Sequence, residues 1–300
     1  MQAKCISVVL LLGALYSCCD YQDITFHSTS ETLSKITEII AKKEKGIYLR
    51  FGDGDVNLAN GQGEMLQKAN TRLTFEMQEA FGLQGINVLK CLFIHCKELG
   101  NYEEGMEPGN HESPLDWSLE QLKKARPYWQ AKFTDIYSTF ALHYIATREP
   151  IKAIEFLKFL KDSNCCLLVG NKNIPREIME LLFGSKCQFV PTPATGSYNE
   201  IDRIEKECLD KIPQDSEYKI IITAMGCSGR VLQKRLWKKL DNVFLFDFGS
   251  LMDALCGWNT RQWITTSKIN MQEFTQMLCK EMNYELPENL MPKMLQRLYY

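Results

Sequence analysis

Several patterns are missing from this chain, and each absence removes a class of function. There is no long basic tract: 35 Lys and Arg stand against 37 Asp and Glu, for a formal charge of −2. Affinity for a phosphate backbone needs clustered cations, so nucleic acid is not expected as a partner. The one basic run, Lys234-Arg235 with Lys238-Lys239, has helical spacing and reads as a solvated helix face. No C-x-x-C pair occurs among the 12 cysteines, and those beyond Cys19 are odd in number. That argues against a disulfide framework, and His95 and Cys96 lack a partner pair at zinc-ligand spacing. Cys165-Cys166, inside an apolar run, reads as buried thiols. Neither the Gly-x-Gly-x-x-Gly dinucleotide fingerprint nor a P-loop is present.

The composition, 45% hydrophobic and 24% charged, suits a globular chain of one large or two small domains with a sizeable core. Met1 to Cys19 differs in kind. Lys4 precedes an apolar run from Cys5 to Leu15 that is too short to span a bilayer and ends Leu15-Tyr-Ser-Cys18. It reads as a signal peptide or lipoprotein signal, giving a membrane tether through Cys18, with a buried N-terminal strand or helix as the alternative. The buried thiols pull against export. Localisation therefore stays open between an exported or membrane-associated protein and a cytoplasmic one.

Helix and strand patterns alternate along the chain. Helices are expected at Ser30–Lys45 and Asn70–Phe81, a strand at Ile86–Ile94, and a helix-rich stretch over Trp117–Ala146 and Ile151–Leu160. Between them, Glu98–Trp117 is a long acidic loop whose His111, Glu112 and Asp116 are acceptor-side or base candidates. His143 reads as structural. From Asn164 the rhythm is regular: strands at Cys165–Val169, Cys187–Val190, Tyr218–Thr223 and Val243–Asp247, with helices at Pro175–Phe183, Tyr198–Leu209 and Ser228–Leu240. Such alternation predicts an α/β fold, a Rossmann-like doubly wound and mostly parallel sheet flanked by helices. Ligands of such sheets bind at the carboxyl ends of strands, which selects Gly170-Asn171-Lys172, Pro191–Tyr198 and Ala224–Arg230.

The chain is organised around Tyr48-Leu-Arg-Phe-Gly-Asp-Gly-Asp55. Gly46–Phe51 is a strand by composition, and Gly52 and Gly54 let the backbone turn where it leaves the sheet. In extended backbone, residues two apart point the same way, so Asp53 and Asp55 can meet one hard cation such as Mg²⁺ or Mn²⁺. Asp-Gly is also common turn chemistry. A further alternative is an EF-hand, because Asp53, Asp55, Asn57 and Glu64 fall at ligand positions of such a loop. However, Leu58 stands where that loop needs glycine, and a strand precedes it instead of a helix.

These residues resemble a known family. Arg50-Phe-Gly-Asp-Gly-Asp55, followed by Asn57-Leu58 and Leu66-Gln67-Lys68, resembles the opening motif of the GT-D type glycosyltransferases, which usually reads Arg-Phe/Tyr-Gly-Asp-Gly-Glu. Asp55 replaces the glutamate. The resemblance runs from about Gly46 to Gly257 and implies transfer of a sugar from a nucleotide-sugar donor, with a divalent metal at Asp53 and Asp55. It also implies donor contacts from Arg50, Gly52, Gly54 and Gln67. Thr223-Ala-Met-Gly-Cys-Ser-Gly-Arg230 matches a family loop near the donor, which adds Gly226, Ser228, Gly229 and Arg230. By its residues alone this loop is either an anion site at a helix start or a tight turn with Gly229 packing helix on strand. Phe246-Asp-Phe-Gly-Ser250 looks like the family's Asp-Ile-Gly segment, with Ser250 where some members have histidine. Asp247 is left as a site-lining, catalytic candidate and Asp253 as a weaker one.

The combined expectation is a metal-dependent (Mn or Mg) glycosyltransferase over residues 20–257, moving a sugar from a donor such as a UDP-sugar to a glycan or glycoprotein acceptor. A C-terminal helical extension over 258–300 would follow. The alternatives are a noncatalytic, membrane-tethered binding module on the same fold and another nucleotide-dependent transferase.

Overall fold

The computed structural model describes residues 24–291, apart from 66, 104–111, 130–134, 143–145, 147, 214, 216, 262 and 265–269. The leader read at Met1–Cys19, together with His111 and His143, lies outside the described residues.

In chain order the elements are β1 (Thr25–Phe26), α1 (Thr29–Ala41), β2 (Gly46–Phe51), α2 (Asp53–Ala59), α3 (Thr71–Phe81), β3 (Val88–Leu92), α4 (Leu115–Trp129) and β4 (Asp135–Ile136). There follow α5 (Pro150–Asp162), β5 (Cys165–Asn171), α6 (Arg176–Phe183), β6 (Gln188–Thr192), α7 (Ile201–Lys211), β7 (Lys219–Ala224), α8 (Ser228–Trp237), β8 (Val243–Asp247), α9 (Leu251–Leu255) and α10 (Met271–Glu281). Local chemistry sets several of these boundaries. Ser28 caps α1 in a capping box with Glu31, and the Asn70 side chain accepts from Leu73 N–H to start α3.

Six strands form one parallel sheet in the order β3-β2-β8-β7-β5-β6. This is the α/β, Rossmann-like arrangement that the alternating pattern predicts. Because every strand runs the same way, all six carboxyl ends emerge at one edge, and the loops selected above meet there. Side chains alternate across the sheet: Ile47, Leu49 and Phe51 of β2 enter one core and Tyr48 the other. The first core holds α2, α3, α4, α7 and α8 against the sheet, and the second holds α1, α5, α6, α9 and α10. Gly46 permits the contact of α1 with the sheet, since a Cβ there would lie 2.6 Å from Phe244 and 2.7 Å from Ile39. Trp263, Phe274 and Leu278 belong to the second core, so residues beyond 257 share the packing of the α/β layers. No helix among the described residues is long and apolar enough to cross a membrane. The nine described cysteines are free thiols, seven of them buried.

Two local expectations are corrected. Helix does not run on from Trp117 to Ala146: α4 ends at Trp129, and Asp135–Ile136 is a strand paired in parallel with Thr25–Phe26. That partner lies more than a hundred residues away, where no local pattern reveals it. The basic run is a solvated face only at Lys238 and Lys239, which are exposed; Lys234 and Arg235 are not. Lys234 is buried, and its ammonium lies 3.1 Å from Glu76 and 2.7 Å from Glu79. Arg235 donates to both Glu76 oxygens, at 2.7 and 2.5 Å, and to Asp202 and Glu205, while the Tyr198 hydroxyl donates to Glu76 at 2.9 Å. These ion pairs clamp α3, α7 and α8 into one layer.

Burial alone would push the Glu76 carboxyl up, but bonds from Arg235, Lys234 and Tyr198 pull it from an ordinary 4.5 down to about 2. Its folded value is depressed, so its contribution is complete above about pH 4.5 and is lost as the pH falls toward 2. Glu76→Gln should therefore lower unfolding free energy by about 3 kcal/mol at pH 7. It should also lose less than the wild type when urea unfolding is repeated at pH 3. Equal stabilities at pH 7 would show that the clamp contributes nothing.

Candidate active site

The strand pattern of β2 ends at Phe51, and the motif that follows opens a helix directly. Gly52 is extended (φ −88°, ψ 179°) and α2 begins at Asp53. This corrects the expected geometry: Asp53 and Asp55 lie in the first turn of a helix, where residues two apart do not share a face. It also removes the EF-hand, whose first ligand positions would have to be loop. The two carboxylates accordingly have different surroundings. Asp53 is exposed and accepts from Gly54 N–H at 2.9 Å. Asp55 is 2% exposed, and its Oδ2 accepts from Gly52 N–H at 2.8 Å. Its Oδ1 has no hydrogen-bond partner, and Arg230 Nε stands 3.7 Å away. Burial pushes the Asp55 carboxyl upward, and the Arg230 charge and the Gly52 N–H draw it back.

Beneath these residues lies a buried charge lattice. Arg50 Nε donates to Asp247 Oδ2 at 2.8 Å, and Arg230 Nη2 lies 3.3 Å from the same oxygen. Arg230 is fixed further by the carbonyls of Arg50 at 2.5 Å and Gly226 at 2.7 Å, and Arg50 by the Thr139 carbonyl at 3.1 Å. Asp55, Arg230, Asp247 and Arg50 thus alternate in sign while crossing α2, α8, β8 and β2. Asp247 was expected to line the site. Its position corrects that: it is 2% exposed and borders neither cavity described below, because both guanidinium groups cover it. It positions Arg50 and Arg230 instead.

Two cavities open side by side over the carboxyl edge of the sheet. The larger, about 570 Å³, is bordered by Arg50, Gly52, Asp53, Gly54, Asp55 and Arg230, and at its far side by Phe93, Phe140 and Trp263. The smaller, about 340 Å³, lies over the ends of β5, β6 and β7 at Asn171, Thr192 and Ala224, with Gln67 and Ser228 on its wall. Glu64, Gly226, Cys227 and Arg261 border both and mark the passage between them. Gly226 has φ +60°, the left-handed value that glycine adopts without strain. Gln67 ties the loops together, its Oε1 accepting from Tyr198 N–H at 3.2 Å and lying 3.5 Å from Ser228 Oγ. Gly229 faces inward, where a Cβ would stand 3.3 Å from Met225 and 3.7 Å from Thr223; it packs α8 on the sheet and borders neither cavity. Glu112 and Asp116 border neither cavity.

Over residues 48–276 the chain matches the family profile of the glycosyltransferase GT-D fold. The chain belongs to this family. This GT-D chain is an enzyme of the glycosyltransferase class. No curated protein matches it. Among solved structures it is similar to the highly conserved domain of unknown function 1792, described as having a distinct glycosyltransferase fold. The two share 19% identity over 77% of this chain and 80% of that one, with a TM-score of 0.54. A new glycosyltransferase with the same domain, from Streptococcus sanguinis, shows 18% identity over 74% and 80% of the two chains and a TM-score of 0.50. A selenomethionine structure of the domain covers 85% of this GT-D chain and 94% of its own at 18% identity and a TM-score of 0.55. At such identities the likeness is one of fold.

Sequence reading gave no role to Thr139, Cys227, Arg261 or Trp263, and named Glu64 only as an EF-hand position. The signal for Glu64 lay in the glycines around it: Gly61 at φ +77° turns the chain ahead of Glu64, which pairs with Gln67 in an isolated bridge and packs beside Gly54. Thr139 and Trp263 carried none, because only the tertiary fold brings them to the motif. Burial and the neighbouring Asp55 push the Cys227 thiol up, which disfavours its thiolate.

Gly249 supplies a test of the lattice. Its φ is +64°, and a Cβ there would overlap the Arg50 guanidinium. Gly249→Ala should cost roughly 3 kcal/mol, combining left-handed strain with displacement of a buried cation. Gly61→Ala, at φ +77° with open space around it, should cost only about 1 kcal/mol. Equal losses in thermal unfolding would mean that Arg50 is not held against Gly249.

Proposed function

We propose that the GT-D enzyme uses a nucleotide-sugar donor, UDP-sugar being the first to test, and that a divalent cation, Mn²⁺ or Mg²⁺, accompanies the donor diphosphate. The observation that carries the reading is the pair of connected cavities, with Asp53 and the unpartnered Oδ1 of Asp55 on one side of their junction and the start of α8 on the other. A helix start favours an anion, because its first N–H groups lack intrahelical acceptors. Among the described residues no three His, Cys, Asp or Glu side chains gather as a metal cage. Asp53, exposed at the cavity with Asp55 buried behind it beside Arg230, suits a cation that keeps several waters and takes its other ligands from substrate phosphates, as Mg²⁺ commonly does. When bound, such an ion would act as a Lewis acid and offset charge on the departing diphosphate.

The chain's own residues supply the rest. Arg230, pinned to the Arg50 and Gly226 carbonyls, fixes the loop where the diphosphate would rest. Asp55, tied to Gly52, fixes the turn that presents Asp53 to the larger cavity. That cavity has room for the donor sugar and an acceptor hydroxyl. Its aromatic far side, Phe93, Phe140 and Trp263, suits the apolar face of a glycan ring. In the transfer a new bond forms from the acceptor oxygen to the anomeric carbon as the bond to the diphosphate breaks, the leaving group takes the electron pair, and the acceptor hydroxyl releases its proton to water or to the departing diphosphate.

Calorimetry with UDP-sugars in the presence and absence of Mn²⁺ tests this. The wild type should bind donor more tightly with the metal, and Asp53→Asn should weaken Mn²⁺-dependent binding at least tenfold, about 1.4 kcal/mol. The fall in turnover should be larger still, because charge on the leaving group peaks in the transition state. Donor binding indifferent to Mn²⁺, or an Asp53→Asn enzyme that behaves like wild type, would rule out the cation at this motif.

A further inference from the structure

Part of the far side of the larger cavity belongs to neither core. Phe93 and Phe140 form a small apolar cluster apart from the two that cover the sheet. Phe93 is half-buried, and its ring is held edge-on by Phe140 at 5.6 Å and 76° and by Trp117 at 6.3 Å and 87°. Its backbone N–H donates to the Phe51 carbonyl at 2.9 Å, which fixes the ring beside the strand end that leads into Asp53. Two hydroxyls border the cavity with it. Thr139 is 6% exposed, its carbonyl accepts from Arg50 at 3.1 Å, and its Oγ1 has no hydrogen-bond partner among the described residues. Ser250 Oγ accepts from the Trp263 indole N–H at 2.7 Å, which leaves its own O–H to donate.

A buried hydroxyl without a partner is costly, and a ligand that supplies the missing bond recovers that cost. The ligand's charge is limited by the wall itself. Phe93, Thr139, Phe140, Ser250 and Trp263 are all uncharged, and the guanidinium groups bordering the same cavity are engaged elsewhere. Arg50 and Arg230 hold Asp247 and backbone carbonyls, and Arg261 stands at the passage. A phosphate or carboxylate placed on this wall would lose its hydration without gaining a cation. The group that fits has one apolar face and hydroxyls at its edge. A pyranose ring is such a group: its axial C–H bonds meet the electron-rich face of an aromatic ring, while its hydroxyls project sideways to polar side chains.

We propose that the far side of the larger cavity is an acceptor subsite for an uncharged pyranose, stacked on Phe93 and read by the hydroxyls of Thr139 and Ser250, so that the enzyme selects neutral sugars over phosphorylated or uronic acceptors. This deepens the function proposed above by naming the acceptor class. It rests on that reading only in placing transfer in the larger cavity, and it is independent of the nucleotide that the donor carries.

Ligand-observed NMR titration of the full chain tests this with the methyl glycosides of glucose, galactose, mannose and N-acetylglucosamine, each with and without UDP and Mn²⁺. Methyl glucuronide and methyl glucoside 6-phosphate serve as the anionic counterparts. The wild type should bind at least one neutral glycoside, and the anionic ones about tenfold more weakly. Phe93→Leu keeps an apolar side chain against Phe140 and Trp117 but removes the ring face, and should weaken the best glycoside about tenfold. Phe93→Tyr restores the ring and should bind like the wild type. Thr139→Val keeps the shape without the hydroxyl and should weaken binding about fivefold. A purely structural Phe93 would instead lower the melting temperature of Phe93→Leu and leave its glycoside affinity unchanged. The proposal is overturned by a wild type that binds no neutral glycoside in either condition or binds the anionic ones equally well. A Phe93→Leu or Thr139→Val enzyme with wild-type affinity overturns it too. Calorimetry of UDP on the same samples reports the donor reading separately, so that glycoside binding without UDP binding sinks that reading alone.

Discussion

Alternation of charge in the interior is the constraint on which the site depends. Four ionic side chains, Asp55, Arg230, Asp247 and Arg50, lie buried at the carboxyl edge of the sheet within one connected set of contacts. Removing any one from water is costly, and the cost is offset only if each charge faces its opposite with good geometry. That requirement explains several residues at once. Gly249 is at a left-handed turn because the Arg50 guanidinium occupies the space of its side chain. The Gly226 and Arg50 carbonyls point at Arg230 because its remaining N–H groups need acceptors. The lattice is also neutral as a set, two cations against two anions. The lattice therefore adds no net charge to the cavity floor, and Arg261, which borders both cavities, lies outside it.

A second ionic layer, centred on Glu76, lies further back between α3, α7 and α8 and works differently. It is peripheral, partly solvated and rich in arginine and lysine. It joins α7, which follows Tyr198, to α8, which carries Ser228, and these are the two residues that Gln67 touches. The spacing of the cavity walls is thus tied to helix packing on one face of the sheet.

Much of the architecture could be read from the sequence because the signals were local and repeated. Strand composition at Cys165, Cys187 and Tyr218, each followed by a helical pattern, leaves few arrangements other than a parallel sheet. The motif at Arg50–Asp55 was legible for the same reason, being a strand end with two glycines. Its geometry was not: alternation along a strand does not survive a helix that starts at Asp53, and only the backbone conformation of Gly52 decides where that helix begins. Charge reading failed in a related way. Lys234 and Arg235 look solvated when only α8 is considered, since their acidic partners come from α3 and α7. Asp247 looked exposed at a strand end because the two arginines above it are supplied by other strands and loops. What sequence pattern misses here is pairing over long distances, in ions as in the strand at Asp135.

Trp263 has three tasks. Its ring belongs to the core under α10, its edge borders the larger cavity, and its indole N–H donates to Ser250 Oγ at 2.7 Å. Ser250 in turn follows the glycine against which Arg50 is packed. Structure and specificity are therefore written into the same few residues near the end of the fold, and neither can drift alone. Any replacement of Trp263 that reshapes this wall of the cavity must also repack the core under α10 and give up the bond to Ser250.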